Sequence, residues 1–281
     1  MSFTDAAQVR SAQASVPAPR EQSAAARGGQ PGAARDAVQD AAAGLAEVAR
    51  ATEALYGVVA ELDQLDLRGP SLLPGWSRGH VVTHLARNAD ALVNLLTWAK
   101  TGVEHPMYLS RADRDADIEE GSGRLPQLLR ADLDAACQRF AAYARDLPTG
   151  AWEAEVDHPR LGLFRAHRVP WLRLREVWVH LVDLDRGVGF ADLPPELVEG
   201  FLEDAAAHYA DQPGTPEVRI EVEFPDGRQR DWALGPAGSA GSAGEGSPLV
   251  SGAAADVLGW LTGRHSGERL TGAAPALPSW L

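Results

Sequence analysis

The sequence predicts a two-domain α+β protein, a four-helix bundle followed by a small α/β domain. Three observations carry this. Apolar residues recur at the 3.6-residue period of amphipathic helices through four long segments in succession, with no strand signal between them. Beyond Pro194-Pro195 the period becomes two, as Val218, Ile220, Val222 and Phe224 alternate with charged residues. The length, 281 residues of which 45% are hydrophobic and 23% charged, is ample for a buried core and for a second domain.

Residues 1–35 are rich in Ala, Gln, Ser, Gly and Pro and hold hardly any large apolar side chain, so they read as a disordered extension. The bundle domain is expected over 36–190. Its first helix spans Asp36 to Asp63, with Leu45, Val48, Leu55, Val59 and Leu62 on one face. A connector over 65–76 ends at Ser77, placed to cap a second helix from about Arg78 to Lys100. The segment 102–123 is polar and irregular, with a charged patch from Arg111 to Glu120. A third helix covers about 125–146 and a fourth about 170–186. The second domain, 191–281, opens with a helix from Pro194-Pro195 to about Tyr209. It continues with a strand over 218–224, a Pro225-Asp226-Gly227 turn and a second strand over 229–234. A Gly/Ser-rich loop over 235–248, a short strand at 249–251 and a helix over 253–262 follow, ended by Gly263-Arg264.

Lys and Arg number 26 against 39 Asp and Glu, so 26 − 39 gives a net charge of −13, which disfavours nucleic acid and anionic membrane surfaces as partners. An anionic substrate would need local positive charge. Cys137 is the single cysteine, so there is no intrachain disulfide and no CxxC motif. No apolar run reaches membrane-spanning length and no basic-then-apolar leader opens the chain. The expectation is a cytoplasmic protein, monomeric or a small homo-oligomer.

The fourth helix carries the chemistry. Glu176 and His180 lie four residues apart on one face of a run with almost no polar side, Trp171, Leu172, Leu174, Val177, Trp178, Leu181, Val182 and Leu184 surrounding them. A carboxylate in such a helix needs a partner. On the second helix His84 points near the centre of the apolar face and His80 toward its edge. His84, Glu176 and His180 would thus converge inside the bundle as two imidazoles and one carboxylate, a set that leaves a divalent ion with open positions. Zinc is the default for these donors, though other first-row metals fit the set. His158 and His167 read as surface residues, and Arg87 and Asp90 as part of a solvated face. Asn88, one turn after His84, reads either as a contact near the site or as a structural bundle asparagine.

The run from Ser71 through Pro74-Gly75-Trp76-Ser77-Arg78-Gly79-His80 and Thr83-His84-Leu85-Ala86 resembles the metal-binding half of the mycothiol-dependent maleylpyruvate isomerases, a branch of the DinB-like bundles. So do Pro106-Met107-Tyr108, the stretch from Arg175 to Asp183, and Pro278-Ser279-Trp280-Leu281. The resemblance covers about 40–281. It implies a DinB-like four-helix bundle holding zinc through His84, Glu176 and His180, an α/β domain behind it, and mycothiol as the thiol. An arginine important for activity in that family falls on Arg264.

The implied reaction turns maleylpyruvate into fumarylpyruvate. A thiolate adds to the alkene carbon conjugated to the ketone, the bond becomes single and rotates, and the thiolate is expelled. Cys137, among Ala135, Ala136 and Phe140, reads as a buried structural residue, so the thiol comes from outside. Lowering a thiol pKa from about 8.5 by ~2 units raises the thiolate fraction roughly 25-fold, and lower nucleophilicity takes back about eightfold. Holding thiolate and alkene together and stabilising the enolate must then supply most of the rate. Arg264 is the expected binder of a substrate carboxylate or of the enolate. Two alternatives stay open: a thiol S-transferase using the same metal site on electrophiles, and a non-enzymatic metal-dependent binding protein.

Overall fold

In the computed structural model, residues 31–235 and 247–280 are described. The first helix, α1, runs Pro31–Ala60, starting five residues before the expected domain edge at 36. Ala33, Ala34 and Arg35 are good helix formers by propensity. The rest of the expected extension and most of the Gly/Ser-rich loop lie outside the described residues. A five-residue helix, α2 (Gln64–Arg68), sits inside the connector, with Asp63 and Asp66 forming a capping box.

Helix α3 (Arg78–Thr101) begins at Ser77, whose hydroxyl accepts from the His80 amide while His80 Nδ1 faces the Ser77 amide. It ends at Gly102, in the left-handed region at φ 70°. The polar segment after it is not wholly irregular. Arg111–Ser122 forms a helix, α4, N-capped by Ser110. It buries only Ile118 and Gly121, so it carries no apolar period to betray it. Helix α4 sits close to α3. A Cβ on Gly79 would overlap the Ser122 carbonyl oxygen, and one on Gly121 would overlap the Thr83 side chain.

Helix α5 is Pro126–Arg145. A short antiparallel hairpin follows, β1 (Glu155–His158) and β2 (Gly162–Arg165), paired His158 to Gly162 at its tip. Helix α6, Val169–Asp183, is buried over most of its length. Helices α1, α3, α5 and α6 form the bundle. Leu55 of α1 and Leu62 just beyond its end, Leu85, Leu92, Leu95 and Leu96 of α3, Phe140 of α5, and Leu174 and Leu181 of α6 are all at most 1% exposed. Each such side chain contributes on the order of 1.5–3 kcal/mol by leaving water.

The ends of α3 and α6 are pinned to each other. Arg78 Nε donates to the Leu184 carbonyl at 2.6 Å and Nη2 to the Asp185 carbonyl at 3.3 Å, answering carbonyls that a helix end leaves without partners. The Leu72 amide donates to the Asp183 carbonyl at 3.0 Å. His84, two turns into α3, is thereby held level with the last turns of α6.

The second domain has α7 (Pro195–Asp211), β3 (Val218–Glu223), β4 (Gln229–Leu234), β5 (Leu249–Ala253) and α8 (Ala254–Leu261). Strand β3 is central, antiparallel to β4 (Val218 opposite Leu234) and parallel to β5 (Arg219 opposite Leu249). Val218, Ile220 and Val222 point into its core while Arg219, Glu221 and Glu223 face out. The Tyr209 hydroxyl ties α7 to α8 by donating to the Leu261 carbonyl at 2.7 Å. Trp280, 5% exposed, is wedged between Arg175 of the bundle and Arg264 of this domain, the two guanidinium carbons 5.6 and 5.8 Å from its ring centroid. No helix among the described residues is long and apolar enough to cross a membrane.

Candidate metal centre

The three residues expected to converge do so. His84 comes from the second turn of α3, and Glu176 and His180 from successive turns of α6. One ligand atom from each lies within 4.8 Å of the others. His84 Nε2 stands 2.9 Å from Glu176 Oε2, and His180 Nε2 3.4 Å from the same oxygen. The imidazoles meet edge to face, centroids 4.6 Å apart at 86°. His84 and His180 are 4% and 6% exposed.

The two imidazoles have distinct supports. His180 Nδ1–H donates to Asp183 at 2.8 Å, so Nε2 is the nitrogen that would give its electron pair to an ion. Asp183 is fully buried and receives Arg264 Nε at 2.9 Å and Nη2 at 2.7 Å. His84 packs edge-on against Trp76, 5.6 Å between centroids, and its Nδ1 lies 3.3 Å from Arg114 Nη2.

The electrostatics follow the contacts. Burial pushes the His84 pKa down to about 4, so it is a neutral imidazole at physiological pH. Burial works against ionised Glu176, yet bonds from His180 and His84 hold its carboxyl well below the usual range. Burial likewise opposes charge on His180, and the bond to Asp183 outweighs it and raises the pKa. Asp183 is lowered against its burial by His180 and Arg264.

These donors fit a divalent ion. Around a tetrahedral zinc with ligand distances of about 2.0–2.2 Å, neighbouring donor atoms stand roughly 3.3–3.5 Å apart, a small adjustment from the spacing seen. One neutral imidazole, one carboxylate and one carboxylate-oriented imidazole are ordinary zinc chemistry.

The other residues singled out from the sequence fall elsewhere. Arg264 does not face open space beside the ligands; both carboxylate oxygens of Asp183 hold it. His80 completes the α3 capping box and its Nε2 faces Glu119 at 3.0 Å. Asn88 is structural, accepting at 2.9 Å from Arg173, which also donates to the Leu85 carbonyl and to Cys137 Sγ. Arg87 pairs with Asp132 and Asp90 with Arg139, between α3 and α5. His158 and His167 are half-buried, where surface positions were expected. The sequence reading missed Asp183, Trp76, Tyr108 and Arg114 as parts of the site. The His180-x-x-Asp183 spacing, which puts an acid one turn from His180, is the signal that could have found the first.

Residues 48–185 match the family model for the mycothiol maleylpyruvate isomerase N-terminal domain, and residues 192–279 the one described as the MDMPI C-terminal domain. Among solved structures, the crystal structure of the mycothiol-dependent maleylpyruvate isomerase and that of its histidine-to-alanine mutant both match. Each gives a TM-score of 0.77 at 28% identity, over 85% of this chain and 97% of that one. No curated protein matches the chain by sequence.

Proposed function

The chain belongs to the mycothiol maleylpyruvate isomerase family, and on that premise we propose that it converts maleylpyruvate to fumarylpyruvate with mycothiol as the catalytic thiol and a divalent metal, zinc by its donor set, at His84, Glu176 and His180. The observation that carries the reading is the convergence of those three side chains, from two helices pinned at their ends, inside a bundle otherwise lined with apolar residues.

Mycothiol supplies a nucleophilic sulfur able to add to an activated alkene and leave again, and the ion supplies the positive charge that keeps this sulfur ionised. The rest belongs to the chain. His84 Nε2, His180 Nε2 and the Glu176 carboxylate provide three ligands, so further positions stay open for sulfur or substrate. Asp183 fixes the orientation and tautomer of His180, and Arg264 holds Asp183 in place, so Arg264 is a positioning residue that acts through Asp183. Trp76 and the surrounding aliphatic residues exclude water from one side of the cluster, which strengthens charge–charge interactions within it. Cys137 takes no part. It is 7% exposed and engaged by Arg173.

The test is conversion of maleylpyruvate by purified protein with and without mycothiol, before and after metal removal by a chelator. Conversion that requires both, with the thiol recovered unchanged, is the expected result. Mycothiol consumed into a sulfur-bearing product would identify a transferase instead, and metal-loaded protein that neither isomerises maleylpyruvate nor consumes mycothiol would overturn the enzyme reading.

A further inference from the structure

Three arginines of the surrounding structure have their guanidinium groups committed inside the fold. Arg264 is held by Asp183 and by the Thr262 carbonyl. Arg173, 1% exposed, is spent on the Leu85 carbonyl, Asn88 and Cys137, and Arg175 donates to Asp204 at 2.8 Å. None of these is available to an anion arriving from solvent.

Arg114 differs. Its side chain is 24% exposed, its Nη2 sits 3.3 Å from His84 Nδ1, and its guanidinium carbon lies 5.9 Å from the ring centroids of both Trp76 and Tyr108. Among the described residues its carboxylate partner is the adjacent, half-exposed Asp115. An exposed pair of this kind holds a guanidinium only weakly.

The contact with His84 is conditional on the tautomer. A guanidinium can only donate, so His84 Nδ1 must accept, and the ring hydrogen then sits on Nε2, which faces Glu176. An Nε2 that ligates a metal needs its lone pair, which moves the hydrogen to Nδ1. Arg114 would then face a donor with a donor. Loading the site therefore frees the Arg114 guanidinium beside the ligands. The Tyr108 hydroxyl is close to it, and burial pushes that pKa up to about 12, so the group keeps its proton and can donate too. Arg160, at the tip of the β1–β2 hairpin, adds positive charge felt by the same neighbourhood, with no carboxylate partner among the described residues.

We propose that Arg114, together with the Tyr108 hydroxyl, is the subsite that binds a carboxylate of an anionic substrate, and that His84 releases Arg114 for this task when its Nε2 is engaged. The proposal rests on the reading of the cluster as the centre of a reaction on a dicarboxylate. Guanidinium and carboxylate match in geometry for a two-point, charge-assisted contact, and in a chain of net charge −13 such a local attraction is required to bring an anion in.

The experiment is titration of maleate into zinc-loaded protein by calorimetry, with uncharged dimethyl maleate as control, for the wild type, Arg114→Gln and Arg114→Lys. Circular dichroism establishes that each variant is folded. Maleate should bind the wild type, at least tenfold more weakly to Arg114→Gln, and in between to Arg114→Lys, while the ester does not distinguish them. Zinc affinity, measured without maleate by chelator competition, should be unchanged or several-fold higher in Arg114→Gln, because the ion no longer competes with Arg114 for His84. Equal maleate binding by wild type and Arg114→Gln, no maleate binding by the wild type, or a tenfold loss of zinc affinity in Arg114→Gln would each overturn the proposal. Arg114-dependent maleate binding by a protein that fails to isomerise maleylpyruvate would sink the isomerase reading and leave this subsite standing. Isomerisation with an unchanged KM in Arg114→Gln would do the reverse.

Discussion

Arg264 holds Asp183 through two parallel contacts of 2.9 and 2.7 Å, and Asp183 in turn orients His180, so a residue of the C-terminal domain reaches the His84–Glu176–His180 cluster of the bundle through one buried carboxylate. Asp183 is shut off from water entirely, which makes each of its partners matter.

Removing one partner should therefore cost on two separate scales. Arg264→Met is expected to weaken metal binding 10–100-fold, the usual effect of losing a group that orients a ligand, measured by chelator competition. Its stability should drop by about 3–5 kcal/mol because a buried carboxylate loses its counter-charge. Unchanged metal affinity in a folded Arg264→Met protein would refute the positioning role.

Metal removal should destabilise the bundle. An ion present at 100 times its dissociation constant adds about 2.7 kcal/mol, seen as a fall of several degrees in Tm on chelation. His84→Ala should melt at the same temperature with and without chelator. A chelator-insensitive wild-type Tm at saturating zinc would speak against a metal centre.

The close approach of α3 and α4 predicts a large effect from a small substitution. Gly79→Ala favours helix by about 1 kcal/mol, but its Cβ would collide with the Ser122 carbonyl oxygen, a backbone atom that can move only if α4 does. A net destabilisation of about 1–3 kcal/mol is expected, accompanied by a raised KM because Arg114 travels with α4. A Gly79→Ala protein with wild-type Tm and KM would show that α4 is free to shift at no cost.

Alkaline pH offers a check remote from the metal ligands. Burial pushes the Tyr209 pKa up to about 12, above its unfolded value of about 10. The unfolded chain then loses its proton first, so the stability from this group is intact below pH 10 and declines between about pH 10 and 12. Tyr209→Phe should lower stability by about 1–2 kcal/mol at pH 8, where the Leu261 carbonyl loses its donor, and should flatten the alkaline decline in denaturant titrations. An equally steep decline in the variant would assign it to other groups.

The convergence of His84, Glu176 and His180 was legible because its evidence is local: Glu176 and His180 share a helix face by spacing, and His84 lies on an apolar face that must turn inward. The strands of the second domain were legible for the same reason, through alternation at Val218, Ile220 and Val222. Helix α4 was not, since a helix that buries only Ile118 and Gly121 leaves no periodic trace, and with it Arg114 was hidden among surface charges. The β1–β2 hairpin has four-residue strands, too short to alternate convincingly. Arg264 illustrates a different limit. Family resemblance singled it out, but its partner Asp183 lies 81 positions away, and no local pattern connects them.

Were an ion held by His84, Glu176 and His180 as proposed, the Arg264–Asp183–His180 chain would make it a part of the architecture. Binding linkages are reciprocal: if docking of the C-terminal domain tightens metal binding tenfold, a bound ion tightens that docking tenfold, about 1.4 kcal/mol. Trp280, gripped by one arginine from each domain, lies on the same seam. Metal supply would then govern how firmly the two halves of the protein hold together, and partial depletion would loosen the seam before it unfolds either half.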